Sequence, residues 1–171
     1  MPTAVKISDE LVAKAKIKSK VFKRSVAGQI EYWAKIGQII EENPELPLPF
    51  IQEILVGKEE IRSGLGTPYV FGEWNMGSIS EIIQSPTFAK QKKKLKKVQT
   101  KMLDEAIKTI IASPEIGALK KGDLQGIRVY KYKVGNNLIL LAYEIERSTL
   151  YLYSFGSHQN FYKKLCKYLH Q

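Results

Sequence analysis

The 171-residue chain is poor in the residues that build compact reactive or metal-binding sites, with one cysteine, two histidines and two tryptophans. A lone Cys166 excludes an intrachain disulfide and fits a reducing compartment. Set among Leu165, Tyr168 and Leu169, it reads as a packed thiol rather than a nucleophile. His158, His170 and Cys166 stand at no ligand spacing, so a structural zinc site is excluded, and no pattern calls for a cofactor. No apolar run approaches the roughly 18 residues of a membrane span, and the N-terminus has no signal-peptide pattern. The expectation is a cytoplasmic protein with no membrane partner.

What the chain does have is positive charge, unevenly placed. The formal net charge is +10. Residues 1–75 hold ten Lys plus Arg against ten Asp plus Glu, while residues 76–171 hold seventeen against seven and so carry the whole excess. Charge localised in this way favours polyanions, nucleic acid above all, although a basic surface kept for solubility has the same composition. Met76 stands where a second reading frame could begin. Met76-Gly77-Ser78 suits an engineered junction equally well.

In the first stretch Thr3-Ala4-Val5-Lys6-Ile7 alternates small or polar with apolar residues, a strand too short to stand without a partner. Ser8 is placed to cap a helix with Asp9 and Glu10 in its first turn and Leu11, Val12, Ala15 and Phe22 on its apolar side. Ser25 caps a second helix whose stripe is Val26, Ile30, Trp33, Gly37 and Ile40, and Asn43-Pro44 stops it. About forty residues cannot bury a self-sufficient core, which implies a dimer. TAVKISDELVAKAK followed by KRSVAGQIEYWAKIG resembles the ParD-like ribbon-helix-helix antitoxins over about residues 2–43. The resemblance implies a homodimer whose paired N-terminal strands form a ribbon that enters the major groove of operator DNA. Val5 and Ile7 would then face the helices and Ala4 and Lys6 the bases, while Ser25 and the amides opening the second helix would hold a phosphate. Lys6 is the only long polar side chain on the outward strand face, and residues 1–75 sum to zero charge. A dimerisation module without a DNA target is therefore the alternative.

Past Pro44 the run Leu46-Pro47-Leu48-Pro49 argues against regular helix, and residues 50–55 read as a short amphipathic one. Residues 69–74 bring Tyr69, Val70, Phe71 and Trp74 together in a segment too short to form a core, so it awaits another surface. In the antitoxins that the chain resembles, such a tail wraps the toxin. That implies neutralising roles for Phe50, Ile54, Tyr69, Phe71 and Trp74; an interdomain linker is the alternative.

In the second stretch Ser85-Pro86 opens a helix that continues through six lysines to Lys97, and Met102, Leu103, Ala106, Ile107, Ile110 and Ile111 mark an amphipathic helix that must dock on a sheet. Residues 127–134, 138–145 and 149–155 are strands joined by turns short enough to require an antiparallel meander, and residues 160–168 close with a helix. GDLQGIRVYKYK leading into LILLAYEI and LYSFGSHQNFYKKL resembles the RelE/ParE superfamily of toxins over about residues 81–169. Nuclease members cut mRNA on the ribosome; others inhibit DNA gyrase. RNA cleavage needs a base for the 2′-OH, an acid for the 5′-oxygen and cations for the phosphorane, and no metal. His158 is the imidazole available for acid or base, since His170 lies next to the chain end, and a histidine titrates near neutrality. Arg128, Lys131 and Lys133 match the basic strand of RNA-cleaving relatives, and Tyr162 is placed to stack on a base. Strand alternation sets Lys131 and Lys133 together and Arg128 opposite, so a bulge or edge must unite them. Structural alternatives stand beside each: a helix cap for His158, edge charges for the two lysines, a core position for Tyr162. Many nuclease relatives carry an Arg after the first hairpin turn, where this chain has Asn136, Asn137 and Leu138.

The expected fold class is thus α+β in three parts: a ribbon-helix-helix module at residues 1–43, a toxin-neutralising tail at 44–75 and a RelE/ParE-like domain at 76–171. The expected function is a type II toxin–antitoxin pair in one chain, its antitoxin half binding operator DNA and masking a ribosome-dependent mRNA endonuclease. The alternatives are a gyrase-inhibiting toxin and a catalytically inactive autorepressor.

Overall fold

The computed structural model describes residues 1–70, 72, 75 and 77–170. They divide into two compact units, Met1–Glu42 and Asn43–Gln171.

The first unit is two helices, α1 (Asp9–Phe22) and α2 (Val26–Glu42). Both caps fall where the sequence puts them. Ser8 Oγ accepts from the Leu11 amide at 3.4 Å with Asp9 and Glu10 in the first turn of α1, and Ser25 Oγ accepts from the Gly28 amide at 2.9 Å. Lys23 in the left-handed region ends α1. The buried side of α2 is Gln29, Ile36 and Ile39, each one residue before a member of the expected stripe; Val26, Ile30, Trp33 and Ile40 are half-buried and Gly37 is exposed. α1 buries Ala15 and Ser19 and leaves Ile17 66% and Phe22 56% exposed. Residues 1–8 form no strand, and Val5 is 75% exposed. The physical reason is that the expected strand at residues 3–7 finds no ladder partner within its own chain.

The second unit is built on a six-stranded sheet of order β1-β2-β6-β5-β4-β3. Its strands are β1 (Thr67–Pro68), β2 (Glu81–Gln84), β3 (Ala118–Leu119), β4 (Arg128–Val134), β5 (Asn137–Glu146) and β6 (Thr149–Ser157). The β4–β5–β6 meander is the one expected from its β-prone apolar runs and short turns. Three short strands extend it, with β2 parallel to β6 and β1 antiparallel to β2. The lysine-rich stretch is two helices rather than one: α4 (Pro86–Lys93), capped by Ser85, stops before α5 (Lys97–Ala112) starts. α5 buries Leu103, Ile107, Ile110 and Ile111 on the sheet face formed by Leu141, Tyr143, Leu150, Leu152 and Phe155. The closing helix is α6 (His158–Leu169).

The remaining helix, α3 (Leu48–Arg62), corrects the sequence reading. The Leu46-Pro47-Leu48-Pro49 run does not bar helix but starts it. Pro47 is the N-cap and Pro49 sits in the first turn, where a missing amide hydrogen costs no bond. Its residues Phe50, Ile51 and Ile54 are fully buried, and the Phe50 and Phe161 ring centroids are 4.9 Å apart. The close approach falls where β6 is bulged: Ala142 pairs with Ser154 and Tyr143 with Leu152, which leaves Tyr153 as the extra residue. A Cβ on Gly57 would stand 2.3 Å from the Tyr153 carbonyl oxygen. Only glycine lets α3 lie that near the strand.

Gly57→Val is accordingly expected to lift α3 from β6 and lower the unfolding free energy of the second unit by about 1–3 kcal/mol. Urea titration of the full chain checks it; an unmoved midpoint would show that the contact does not hold α3.

Candidate functional site

The second unit, which begins at Asn43, contains the tail, residues 44–75, together with the basic region, and acids of the tail meet cations and donors of that region. Glu45 pairs with Lys120, whose side chain is 5% exposed. Beside them Asn43 closes a two-way bond with Lys121, donating to its carbonyl at 3.2 Å and accepting from its amide at 3.0 Å. Burial pushes the Glu45 carboxyl up, but the Lys120 hydrogen bond, the Glu45 backbone bond and the attraction of Lys120 and then Lys131 outweigh it and hold the group below its ordinary value. One turn into α3, Glu53 takes three donors: Gln91 Nε2 at 2.9 Å and Ser154 Oγ at 3.0 Å on Oε2, and Lys164 Nζ at 3.0 Å on Oε1. Further along, Lys58 lies 3.5 Å from Glu144, and Glu60 accepts from both the amide and the hydroxyl of Thr87, capping the start of α4.

Strand register shows which sheet face the tail covers. Cross-strand partners share a face, and Val129 pairs with Ala142, which pairs with Ser154, the residue that Glu53 holds. Lys131 and Lys133 share the face of Val129 by alternation. The two lysines therefore lie on the α3 face of the sheet, opposite the α5 core.

β2 ends at Gln84 opposite Leu152, so β6 runs on beyond it with an open edge. Side chains fill that edge. Ser85 Oγ donates to the Tyr153 carbonyl at 2.7 Å and Gln91 Oε1 accepts from the Phe155 amide at 2.9 Å. Past this edge opens a cleft of about 730 Å³ between the α4–α5 turn and α6. Lys94, Lys163, Lys164 and Lys167 line it, with Tyr132 and Phe155 among its aromatic walls, and Glu53 is the one carboxylate among its described lining residues.

The sequence-expected residues divide as follows. Phe50 and Ile54 are fully buried in the second unit. Tyr69 is 5% exposed; its amide donates to the Ile82 carbonyl at 2.9 Å, its hydroxyl to Asp104, and Lys92 Nζ stands 3.9 Å over its ring. Phe71 and Trp74 lie outside the described residues. Lys131 and Lys133 are exposed on one face, while Arg128 on the other has its Nη1 donating to the Glu115 and Gly117 carbonyls at 3.3 and 2.9 Å. β4 pairs with β5 in unbroken register from Arg128 to Val134, so no bulge unites the three. His158 opens α6 and is exposed; Ser157, Gln159 and Asn160 line the cleft and His158 does not. Ser157, not the imidazole, caps α6, accepting from the Asn160 amide at 3.4 Å. Tyr162 is exposed rather than in the core. Ala4, Lys6 and Ser25 are exposed in the first unit. Sequence reading missed Glu45, Glu53, Glu60, Gln91, Lys120 and Ser154. Their partners are remote in the chain, Glu53 and Ser154 by 101 positions, and no local pattern marks them.

Among the described residues no cluster of His, Cys, Asp and Glu could hold a metal ion, and no helix is long and apolar enough to cross a membrane. Residues 2–70 match the family model of the ParD-like antitoxin of type II bacterial toxin-antitoxin system, and residues 82–166 that of the ParE-like toxin of type II bacterial toxin-antitoxin system. No curated protein and no solved structure matches the chain.

Because the folded Glu45 carboxyl titrates below its unfolded value, its stabilisation is full above the ordinary carboxylate range and is lost as pH falls through the folded value. Glu45→Gln should therefore lower the urea midpoint at pH 7 and lower it less at pH 3. An equal effect at both values would show that ionised Glu45 is not the stabilising form.

Proposed function

We propose a function from the premise that the chain belongs to the type II toxin–antitoxin proteins and carries both partners, a ParD-like antitoxin and a ParE-like toxin, in one polypeptide. The antitoxin region silences the toxin region in cis. One observation carries this reading: α3, wholly inside the antitoxin match, buries Phe50, Ile51 and Ile54 in the unit that holds the toxin match and packs against β6 on the sheet face that also bears the exposed Lys131 and Lys133. A tethered inhibitor acts at an effective concentration set by the connecting segment, so the masked form dominates at any dilution.

Freed of the tail, the toxin region acts as a metal-independent endoribonuclease on ribosome-bound mRNA. The 2′-oxygen attacks phosphorus as its proton passes to a base, and the 5′-oxygen leaves with a proton from an acid. Lys131 and Lys133, side by side on the uncovered face, stabilise the phosphorane charge. His158 and Tyr162, exposed in the first turns of α6, serve proton transfer and base stacking. Arg128, tied to two carbonyls, braces the strand instead. The first unit pairs with a second copy through its N-terminal strands and presents Ala4, Lys6 and Ser25 to operator DNA. The exposure of Val5, Ile17 and Phe22 supports a partner, and its charge supports DNA, since residues 1–42 hold eight basic against five acidic residues.

Expression of residues 76–171 alone should arrest growth and cleave ribosome-bound mRNA, and residues 1–75 supplied in trans should restore growth. Lys131→Ala with Lys133→Ala should reduce cleavage at least about a hundredfold. Growth arrest with intact mRNA and inhibited DNA supercoiling would assign the toxin to gyrase. Cleavage by the full chain at the fragment's rate would end the masking reading.

A further inference from the structure

The three donors around Glu53 belong to the toxin region, and their acceptor belongs to the antitoxin. Gln91 is fixed in orientation: its Oε1 accepts from the Phe155 amide at 2.9 Å, so its Nε2 is left to donate to Glu53 and to Ser154 Oγ at 3.0 Å. Ser154 is fully buried, and its hydroxyl reaches Glu53 at 3.0 Å. Lys164 adds a full positive charge on the other carboxylate oxygen. These groups are held by β6, α4 and α6, not by α3, and so persist when the tail leaves. They then form a preorganised set of donors, two of which, Gln91 and Lys164, line a cleft with no other described carboxylate and with Lys94, Lys163 and Lys167 on its walls.

We propose that Gln91, Ser154 and Lys164 form an oxyanion site for a backbone phosphate of single-stranded RNA, and that Glu53 occupies this site in place of the phosphate in the silenced chain. The inference rests on the masking reading above and names its contact. A carboxylate and a phosphodiester both offer two anionic oxygens to the same donors, and charge-assisted bonds of this kind are the strong ones. RNA is favoured over an acidic peptide by the rest of the lining. Gln99, Asn137, Gln159 and Asn160 offer amides to base edges and Tyr132 a ring, the equipment with which unpaired bases are read. An acidic peptide could use the amides but carries no base to stack on the ring. The site lies apart from Lys131 and Lys133, so it would grip the strand rather than cleave it.

The test uses the full chain and a fluorescent ten-nucleotide single-stranded RNA, followed by anisotropy at low salt. Glu53→Ala should bind about tenfold more tightly than the parent chain, and inorganic phosphate should compete with the gain. Adding Gln91→Ala or Lys164→Met to Glu53→Ala should abolish it. Glu53→Gln, which keeps the side-chain volume and removes the charge, should give a smaller gain in the same direction and supplies the readout if Glu53→Ala fails to melt cooperatively. No gain in either variant, or a gain that survives Gln91→Ala, overturns the proposal. Displacement of the RNA by polyglutamate at equal charge concentration as readily as by unlabelled RNA assigns the site to an acidic protein and overturns it too. Growth arrest plays no part in this readout: a harmless 76–171 fragment beside intact Glu53-dependent binding in the full chain would sink the masking reading alone, whereas a toxic fragment beside a full chain with no such binding would sink this site alone.

Discussion

The seating of α3 on the bulged end of β6 is the contact on which the other arrangements in the second unit rest. The bulge at Tyr153 turns a backbone carbonyl outward, and Gly57 is the residue that lets a helix axis come close enough to use the space. Once α3 is there, Phe50, Ile51 and Ile54 leave water, at about 1.5–3 kcal/mol for each large side chain before the entropy of ordering the helix is counted. The polar contacts follow from that placement. Glu53 and Glu60 stand on the same helix as the buried residues and reach Gln91, Ser154 and Thr87 only at the height that Gly57 sets. A shift of one helical turn, about 5.4 Å, would separate every one of these pairs.

The division of charge takes a different form once the compact units are known. Residues 1–75 sum to zero, but residues 1–42 carry eight basic and five acidic residues, and residues 43–75 two basic and five acidic. The neutrality of the antitoxin region is thus a positive unit and a negative tail added together. A negative tail complements a region of seventeen basic and seven acidic residues, and complementary charge steers and registers an interface more than it strengthens it. The strength comes chiefly from the burial described above, with the half-buried Glu53 adding its charge-assisted bonds to it.

Much of this fold was legible along the chain. The meander follows from runs rich in Val, Ile, Leu and Tyr interrupted at Gly135-Asn136-Asn137 and at Glu146-Arg147-Ser148, and both N-terminal caps from Ser8 and Ser25. What was not legible has definite causes. Pro47 and Pro49 suggested a break because proline is excluded from helix interiors, yet the same ring suits a first turn, and nothing local separates the two cases. β1 and β3, with two residues each, are too short for any alternation to register. The stripe of α2 was misplaced by one residue because Gln29 is buried, and a hydrophobic pattern passes over a polar residue in that position. The basic strand was legible as chemistry but not as a site, since only the strand register shows that the exposed Lys131 and Lys133 share the sheet face on which α3 packs.

Joining the two regions changes how such a pair can be controlled. Between separate chains, the free toxin concentration depends on the ratio of the partners and on the lifetime of the inhibitor. Here β1, at Thr67 and Pro68, pairs directly with β2, whose partner residues are Gln84 and Ile83, so the tail enters the sheet beside the first strand of the toxin region. Under the proposed masking, a tail anchored there rebinds within its own chain, so neither dilution nor a changed ratio releases it. Release must then come from within the chain, by lifting α3 from β6 or by cutting the segment that joins the tail to β2. Under that proposal, the stability of the Gly57 contact, rather than the abundance of the antitoxin, becomes the quantity that sets how much toxin is uncovered.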